Sequence, residues 1–125
     1  MKEKIVLLAD DDELLASLLN FRLKKAGYKV DHVIDGKEVK EYLSHSIPDI
    51  IVSDIMMPYF SGIELINHVR KELKSNTPII IISSAGNEEN VLSAFELGAN
   101  DFISKPVSPS ELLVRIAREV NKTNI

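Results

Sequence analysis

The feature that most constrains this chain is a rhythm in which short runs of β-branched and leucine residues alternate with longer stretches whose apolar residues recur every three or four positions. Ile79, Ile80, Ile81 and Ile82 form the plainest run. Four successive apolar side chains leave no polar face, so a strand built from them must be covered on both sides. The first run, Ile5 to Ala9, is followed by Leu15, Leu18, Leu19, Leu23 and Ala26 at helical spacing, and then by Gly27 as a stop. The pattern repeats with Tyr28 to Val33 and a helix to Leu43, then with Asp49 to Ser53 and a helix carrying Ile63, Ile66, Val69 and Leu73. Pro78 to Ser83 with a helix ending near Gly98, and Phe102 with Ile103 before a last helix, complete five strand–helix units. Five such units predict an α/β fold, a doubly wound parallel sheet with five helices on both its faces. Runs one, three and four are almost wholly apolar and belong in the centre. Run two mixes Lys29, Asp31 and His32 with its apolar residues and run five is very short, which suits edges. The expected strand order is 2-1-3-4-5.

Helix starts are marked by Ser61 with Glu64 and by Ser108 with Glu111, both at capping-box spacing, with Pro109 where a first helical residue would stand. With 125 residues, 45% of them hydrophobic, the chain suits one domain spanning residues 1–125 and has no room for a second. A net charge of −4 with interspersed signs argues against a nucleic-acid footprint, so any DNA binding would have to come from another polypeptide segment. Without cysteine there is no disulfide framework, thiolate metal site or thiol nucleophile, which is compatible with a reducing cytoplasm. The apolar run after Lys4 is far too short for a membrane helix. A soluble, cytoplasmic protein is expected.

In a doubly wound sheet, ligands bind beyond the carboxyl ends of the strands where the strand order reverses, here between strands one and three. Asp10 and Asp11 end strand one and Asp54 ends strand three, so three carboxylates are predicted to crowd one crevice. Unneutralised, they would repel strongly. A hard divalent cation resolves the repulsion, and Mg²⁺, which keeps several waters and takes one or two carboxylates plus a phosphate, suits a shallow rim. Strand four delivers Ser83 and Ser84 to the same rim, and strand five leads to Lys105. A carboxylate nucleophile, a metal, an ammonium and a hydroxyl together make a site for phosphoryl transfer through an aspartyl phosphate.

Four stretches, Ala-Asp-Asp-Asp at 9–12, Ser-Asp-Ile-Met-Met-Pro at 53–58 with Gly62, Ser-Ser-Ala at 83–85 and Gly-Ala-Asn-Asp-Phe-Ile-Ser-Lys-Pro at 98–106, resemble the receiver domain of two-component response regulators. The resemblance spans essentially the whole chain and implies a flavodoxin-like fold. It implies that Asp54 is the phospho-acceptor, that Asp11 ligates Mg²⁺ directly, that Asp10 does so through water, and that the Met56 carbonyl is a further ligand. It likewise implies that Ser83 is the switch hydroxyl, Lys105 the phosphate-binding lysine and Phe102 the switch aromatic, with a cis bond between Lys105 and Pro106. The donor would be a phosphohistidine on a sensor kinase or histidine phosphotransfer protein. Ser in place of the commoner Thr, and Phe in place of the frequent Tyr, would alter the balance of the switch without abolishing it. Met56 and Ala85 occupy the two positions that tune loss of the phosphoryl group, and neither can orient an attacking water, so a long-lived adduct is expected. The stretch from Gly98 to Ile116, with Asp101, Glu111 and Arg115, is similar to receivers of winged-helix transcription regulators. That implies phosphorylation-promoted dimerisation through helix four, strand five and helix five.

Blander readings stand beside these. Asp12 is read as a helix cap. Asp101, Glu111 and Arg115 could form only surface pairs, each worth about 0–1 kcal/mol. His32, His45 and His68 lack metal-ligand spacing and are assigned no chemistry. Two rivals to the switch are an inactive receiver serving as a binding scaffold and a Mg²⁺-dependent phosphohydrolase using an aspartyl phosphate. The intact set of Asp10, Asp11, Asp54, Ser83 and Lys105 argues against the first, and apolar Met56, where such a hydrolase carries a second acid, against the second. No turnover of a free substrate is expected.

Overall fold

The computed structural model describes residues 3–57, 59–84 and 88–122. Five strands, β1 (Ile5–Ala9), β2 (Lys29–Val33), β3 (Ile50–Asp54), β4 (Ile79–Ser83) and β5 (Asp101–Ser104), form one parallel sheet in the order β2-β1-β3-β4-β5. Between and after them run α1 (Glu13–Lys25), α2 (Gly36–Leu43), α3 (Gly62–Asn67), α4 (Glu88–Leu97) and α5 (Pro109–Lys122). Fold class, strand order and edge positions agree with the sequence pattern. Strand β5 is longer than the two apolar residues suggested, because Asp101 and Ser104 also pair, opposite Ile80 and Ser83.

Alternation along each strand divides the core in two. Leu7, Ala9, Ile51, Ile79 and Ile81 face one side and pack with Val39 and Leu43 of α2, Leu65 and Ile66 of α3 and Ala94 of α4. Val6, Leu8, Ile50, Val52, Ile80 and Ile82 face the other and pack with Ala16, Leu19 and Leu23 of α1 and Leu112, Ile116 and Val120 of α5. A fully buried aliphatic side chain stabilises by about 1.5–3 kcal/mol. The central strands therefore form a stiff platform whose carboxyl ends carry polar residues.

Asp12 caps α1, its carboxylate accepting from the Leu15 amide at 3.1 Å. Ser61 and Glu64 form a complete capping box at α3. Only half of the second box is made: Ser108 Oγ accepts from the Glu111 amide at 3.3 Å, but the Glu111 carboxylate is drawn to Arg115 at 2.8 Å. The helix expected to run to Leu73 also changes character. After Asn67 it widens into a π turn over His68–Glu72, closed by the Leu73 amide on the His68 carbonyl at 2.9 Å.

Arg70 lies in that turn and ties the amino end of the sheet together. Its guanidinium donates to the carbonyls of Ser75, Thr77 and Gly98 and to Asn100 Oδ1, at 2.8–3.1 Å. Asn100 Oδ1 in turn accepts from the Ile79 amide at 2.8 Å, at the first residue of β4. Gly98 is needed twice over, since its φ is +117° and a Cβ there would lie 2.9 Å from Arg70 Nε. Arg70→Met is expected to leave these carbonyls unpaired and to lower unfolding free energy by about 2–4 kcal/mol in urea titration. A loss below about 0.5 kcal/mol, the range of an ordinary surface change, would show the network to be incidental.

Candidate functional site

The carboxyl edge of the sheet gathers the acids from separate elements. Asp54 is the last residue of β3 and is 6% exposed; Asp10 follows β1 directly and is 0% exposed; Asp11, next in the chain, is open to solvent. One carboxylate oxygen from each lies within 4.8 Å of the others. Lys105 enters from beyond β5, with a cis peptide to Pro106 as expected, and places Nζ 2.8 Å from Asp54 Oδ2 and 3.7 Å from Asp10 Oδ2. One ammonium thus faces two of the three carboxylates. The loop after Asp54 turns back tightly behind the site, with the Gly62 amide on the Ile55 carbonyl at 2.9 Å. A Cβ on Gly62 would lie 2.8 Å from Ile55 Cα and 2.9 Å from the Asp54 carbonyl oxygen, so only glycine fits the approach.

Asp54 and Asp10 each give one oxygen to a backbone amide. Asp54 Oδ1 accepts from the Met56 amide at 3.1 Å, leaving Oδ2 to Lys105. Asp10 Oδ1 accepts from the Asp12 amide at 2.8 Å. Asp10 Oδ2 is buried and has no hydrogen-bond partner. Burial pushes the Asp10 carboxyl above its ordinary 3.8, and the charges of Asp54 and Asp11 add to this against the Asp12 amide and Lys105. Burial alone would lower the Lys105 ammonium. The Asp54 hydrogen bond and the charges of Asp54, Asp10 and Asp12 outweigh it and hold Lys105 above its ordinary 10.5.

An unsatisfied buried carboxylate oxygen, pointing into a cluster of hard oxygen donors with surplus negative charge, fits a divalent cation that keeps part of its water shell. Asp10, Asp11 and Asp54 are the residues that could hold it.

Of the remaining predicted residues, Ser83 is 5% exposed at the end of β4, and its hydroxyl donates to the Ser84 carbonyl at 3.0 Å instead of to a carboxylate. Its own carbonyl accepts from the Lys105 amide at 2.7 Å, so backbone joins it to the site. Phe102 is half-buried against the core. Met56 projects outward, 72% exposed. Ala85 lies outside the described residues.

Asp101, Glu111 and Arg115 are brought together within the one chain. Asp101 is buried and accepts from Arg115 at 2.6 Å and from Arg118 at 2.9 Å. Arg118 escaped notice in the sequence, although it stands one helical turn after Arg115 on the same face. His32, assigned no chemistry from the sequence, has its Nε2 2.8 Å from the Asp10 carbonyl oxygen. Its place near the end of a strand pairing with β1 was the available signal.

Fold and site together define a doubly wound α/β domain with an acid–lysine centre at the reversal of strand order. The chain belongs to the response regulator receiver domain family, whose sequence profile matches residues 6–117. It is 37% identical over 123 residues to the Guillardia theta protein named probable transcriptional regulator ycf27, covering 98% of this chain and 47% of that one. The chain thus spans about half the length of that curated relative. Among solved structures it is similar to the receiver domain of Francisella response regulator 1452, at 33% identity and a TM-score of 0.89 over 97% of this chain and 99% of that one. The chemotaxis response regulator CheY4 of Vibrio cholerae gives 28% identity and a TM-score of 0.87 over 94% and 99%. Receivers of this family are regulatory modules of two-component signalling. Among the described residues no helix is long and apolar enough to cross a membrane.

The raised Asp10 carboxyl sets the sign of a stability test. The folded state holds this proton more tightly than the unfolded state, so ionisation carries a stability penalty that grows as pH rises from 3.8 through the raised value. Asp10→Asn removes it while keeping an oxygen for the Asp12 amide. The variant's metal-free Tm is expected to rise by about 3–5 °C, the equivalent of about 1 kcal/mol in a domain of this size. Added Mg²⁺ should stabilise the parent chain and leave the variant nearly unmoved in the same calorimetric scans. A fall in the variant's Tm would show that Asp10 is not under charge stress.

Proposed function

We propose that this domain is the phospho-acceptor switch of a two-component relay, taking a phosphoryl group from a phosphohistidine of a sensor kinase or phosphotransfer protein onto Asp54. The observation that carries the reading is the pairing of Asp54 with Lys105 beside the unsatisfied oxygen of Asp10. An Asp54 carboxylate oxygen attacks phosphorus, a P–O bond forms as the P–N bond to the donor imidazole breaks, and the imidazole leaves with the bonding pair. Mg²⁺, held by the Asp10, Asp11 and Asp54 carboxylates and the Met56 carbonyl, would supply charge neutralisation for the phosphoryl oxygens. Lys105 already stands against Asp54 and needs only a short movement to meet the transferred group.

The switch follows from what Ser83 must give up. Its hydroxyl leaves the Ser84 carbonyl for a phosphoryl oxygen, Phe102 follows into the space behind it, and the face of α4, β5 and α5 is remodelled. Both arrangements pre-exist and the phosphoryl group biases them. Dimerisation through that face is the second proposed step. It is supported by the ion pairs of Asp101 with Arg115 and Arg118, which are made within one chain here and could be exchanged between two. We place the domain in the cytoplasm, and regard it as altering an output rather than turning over a free substrate.

Incubation with acetyl phosphate and Mg²⁺ is expected to give one phosphoryl adduct by intact-mass spectrometry, absent without Mg²⁺ and absent in Asp54→Asn. No adduct on the parent chain would favour the inactive scaffold, and an adduct surviving in Asp54→Asn would mean a different acceptor. The adduct should outlast minutes, since Met56 offers no group to orient water. Decay within seconds would contradict that part of the reading.

A further inference from the structure

We propose that His32 is a positioning residue for the metal centre, acting through the backbone of Asp10. This rests on the reading that the acidic cluster holds Mg²⁺. The ladder between β1 and β2 ends at the pair Ala9 and Val33, with one further backbone bond from the Asp10 amide to the Val33 carbonyl at 3.1 Å. Beyond that point the chain leaves the sheet and both candidate ligands follow. His32, opposite Leu8 on the edge strand, reaches along β1 and puts Nε2 2.8 Å from the Asp10 carbonyl oxygen. A carbonyl can only accept, so Nε2 carries the proton and His32 is the donor.

The bond completes the restraint of Asp10. Its amide is held by Val33, its carbonyl by His32 and its Oδ1 by the Asp12 amide, which leaves Oδ2 as the one oxygen unbonded and directed into the cluster. The same bond reaches Asp11, because the Asp10 carbonyl and the Asp11 amide lie in one rigid peptide plane. Fixing that carbonyl fixes the direction in which Asp11 departs from the strand. His32 therefore extends the ladder by one rung with a side chain, just where the backbone must present two carboxylates to one ion. Such outer contacts orient the groups that touch a metal, and their removal commonly weakens binding by about 10–100-fold.

Calorimetric Mg²⁺ titration of the full chain, its His32→Ala variant and its His32→Gln variant tests this. Gln places a donor nitrogen the same number of bonds from Cβ as His Nε2. His32 is solvent-exposed, so the Ala variant should keep a metal-free Tm close to the parent's. The Mg²⁺ Kd is expected to rise about 10-fold in His32→Ala and to return most of the way in His32→Gln. A Kd in His32→Ala within about twofold of the parent's, or equal weakening in both variants, would overturn the assignment. Failure of the parent chain itself to bind Mg²⁺ would overturn the metal reading, and this inference with it.

Discussion

The carboxyl edge of the sheet is organised around one imbalance, a single ammonium on Lys105 set against the carboxylates of Asp10, Asp11 and Asp54. Asp10 is wholly buried, and burying a carboxylate with one oxygen lacking a hydrogen bond is costly. A fold can carry such a cost only where the remainder is well packed. Here the two aliphatic layers on the faces of β1, β3 and β4 hold the strand ends at fixed spacing, and with them the buried carboxylates of Asp10 and Asp54. The platform converts packing energy into electrostatic stress at one edge, as functional sites commonly do.

That stress has a mechanical exit through β5. This strand has four residues and only β4 as a neighbour, so it is among the least restrained parts of the sheet. Lys105 follows its carboxyl end, Phe102 lies within it, and Asp101 at its start is gripped by Arg115 and Arg118 of α5. Ser83 meets the same strand through its carbonyl, which accepts from the Lys105 amide. Lys105, Ser83, Phe102 and α5 are therefore joined through one short element. At the opposite end of the sheet Arg70 fastens β4 and the turn after α4.

Much of this was legible in the sequence, for physical reasons that differ by residue. Short apolar runs alternating with period-3.6 stretches marked out the five units, and the wholly apolar Ile79 to Ile82 could only be a central strand. The topology then brought Asp10, Asp11, Asp54 and Lys105 to one rim, because a parallel sheet sends every strand's carboxyl end the same way. What could not be read were partnerships made by long side chains across loops. Arg70 binds backbone carbonyls, which have no residue identity, and the π turn that places it carries no local signal. Glu111 had the spacing of a capping box but two possible partners, and Arg115 one turn on proved the stronger attraction. Ser83 was legible as a residue and not as a rotamer: its hydroxyl rests on the Ser84 carbonyl.

On the proposed function, cation and phosphoryl group would act on each other as linked ligands. In the proposed reaction the Asp54 carboxylate becomes an acyl phosphate, which adds negative charge to a crevice that Lys105 alone does not balance. A divalent cation relieves repulsion among the carboxylates before transfer and among the carboxylates and phosphoryl oxygens afterwards, and the second relief is larger because more charge is involved. By linkage, whatever the cation gains in affinity on phosphorylation the acyl phosphate gains in stability from the cation. Lys105 cannot substitute for the ion, since its reach is divided between Asp54 and Asp10, at 2.8 and 3.7 Å. In that reading the Asp10 oxygen left without a hydrogen bond is the place where a cation would have most to offset.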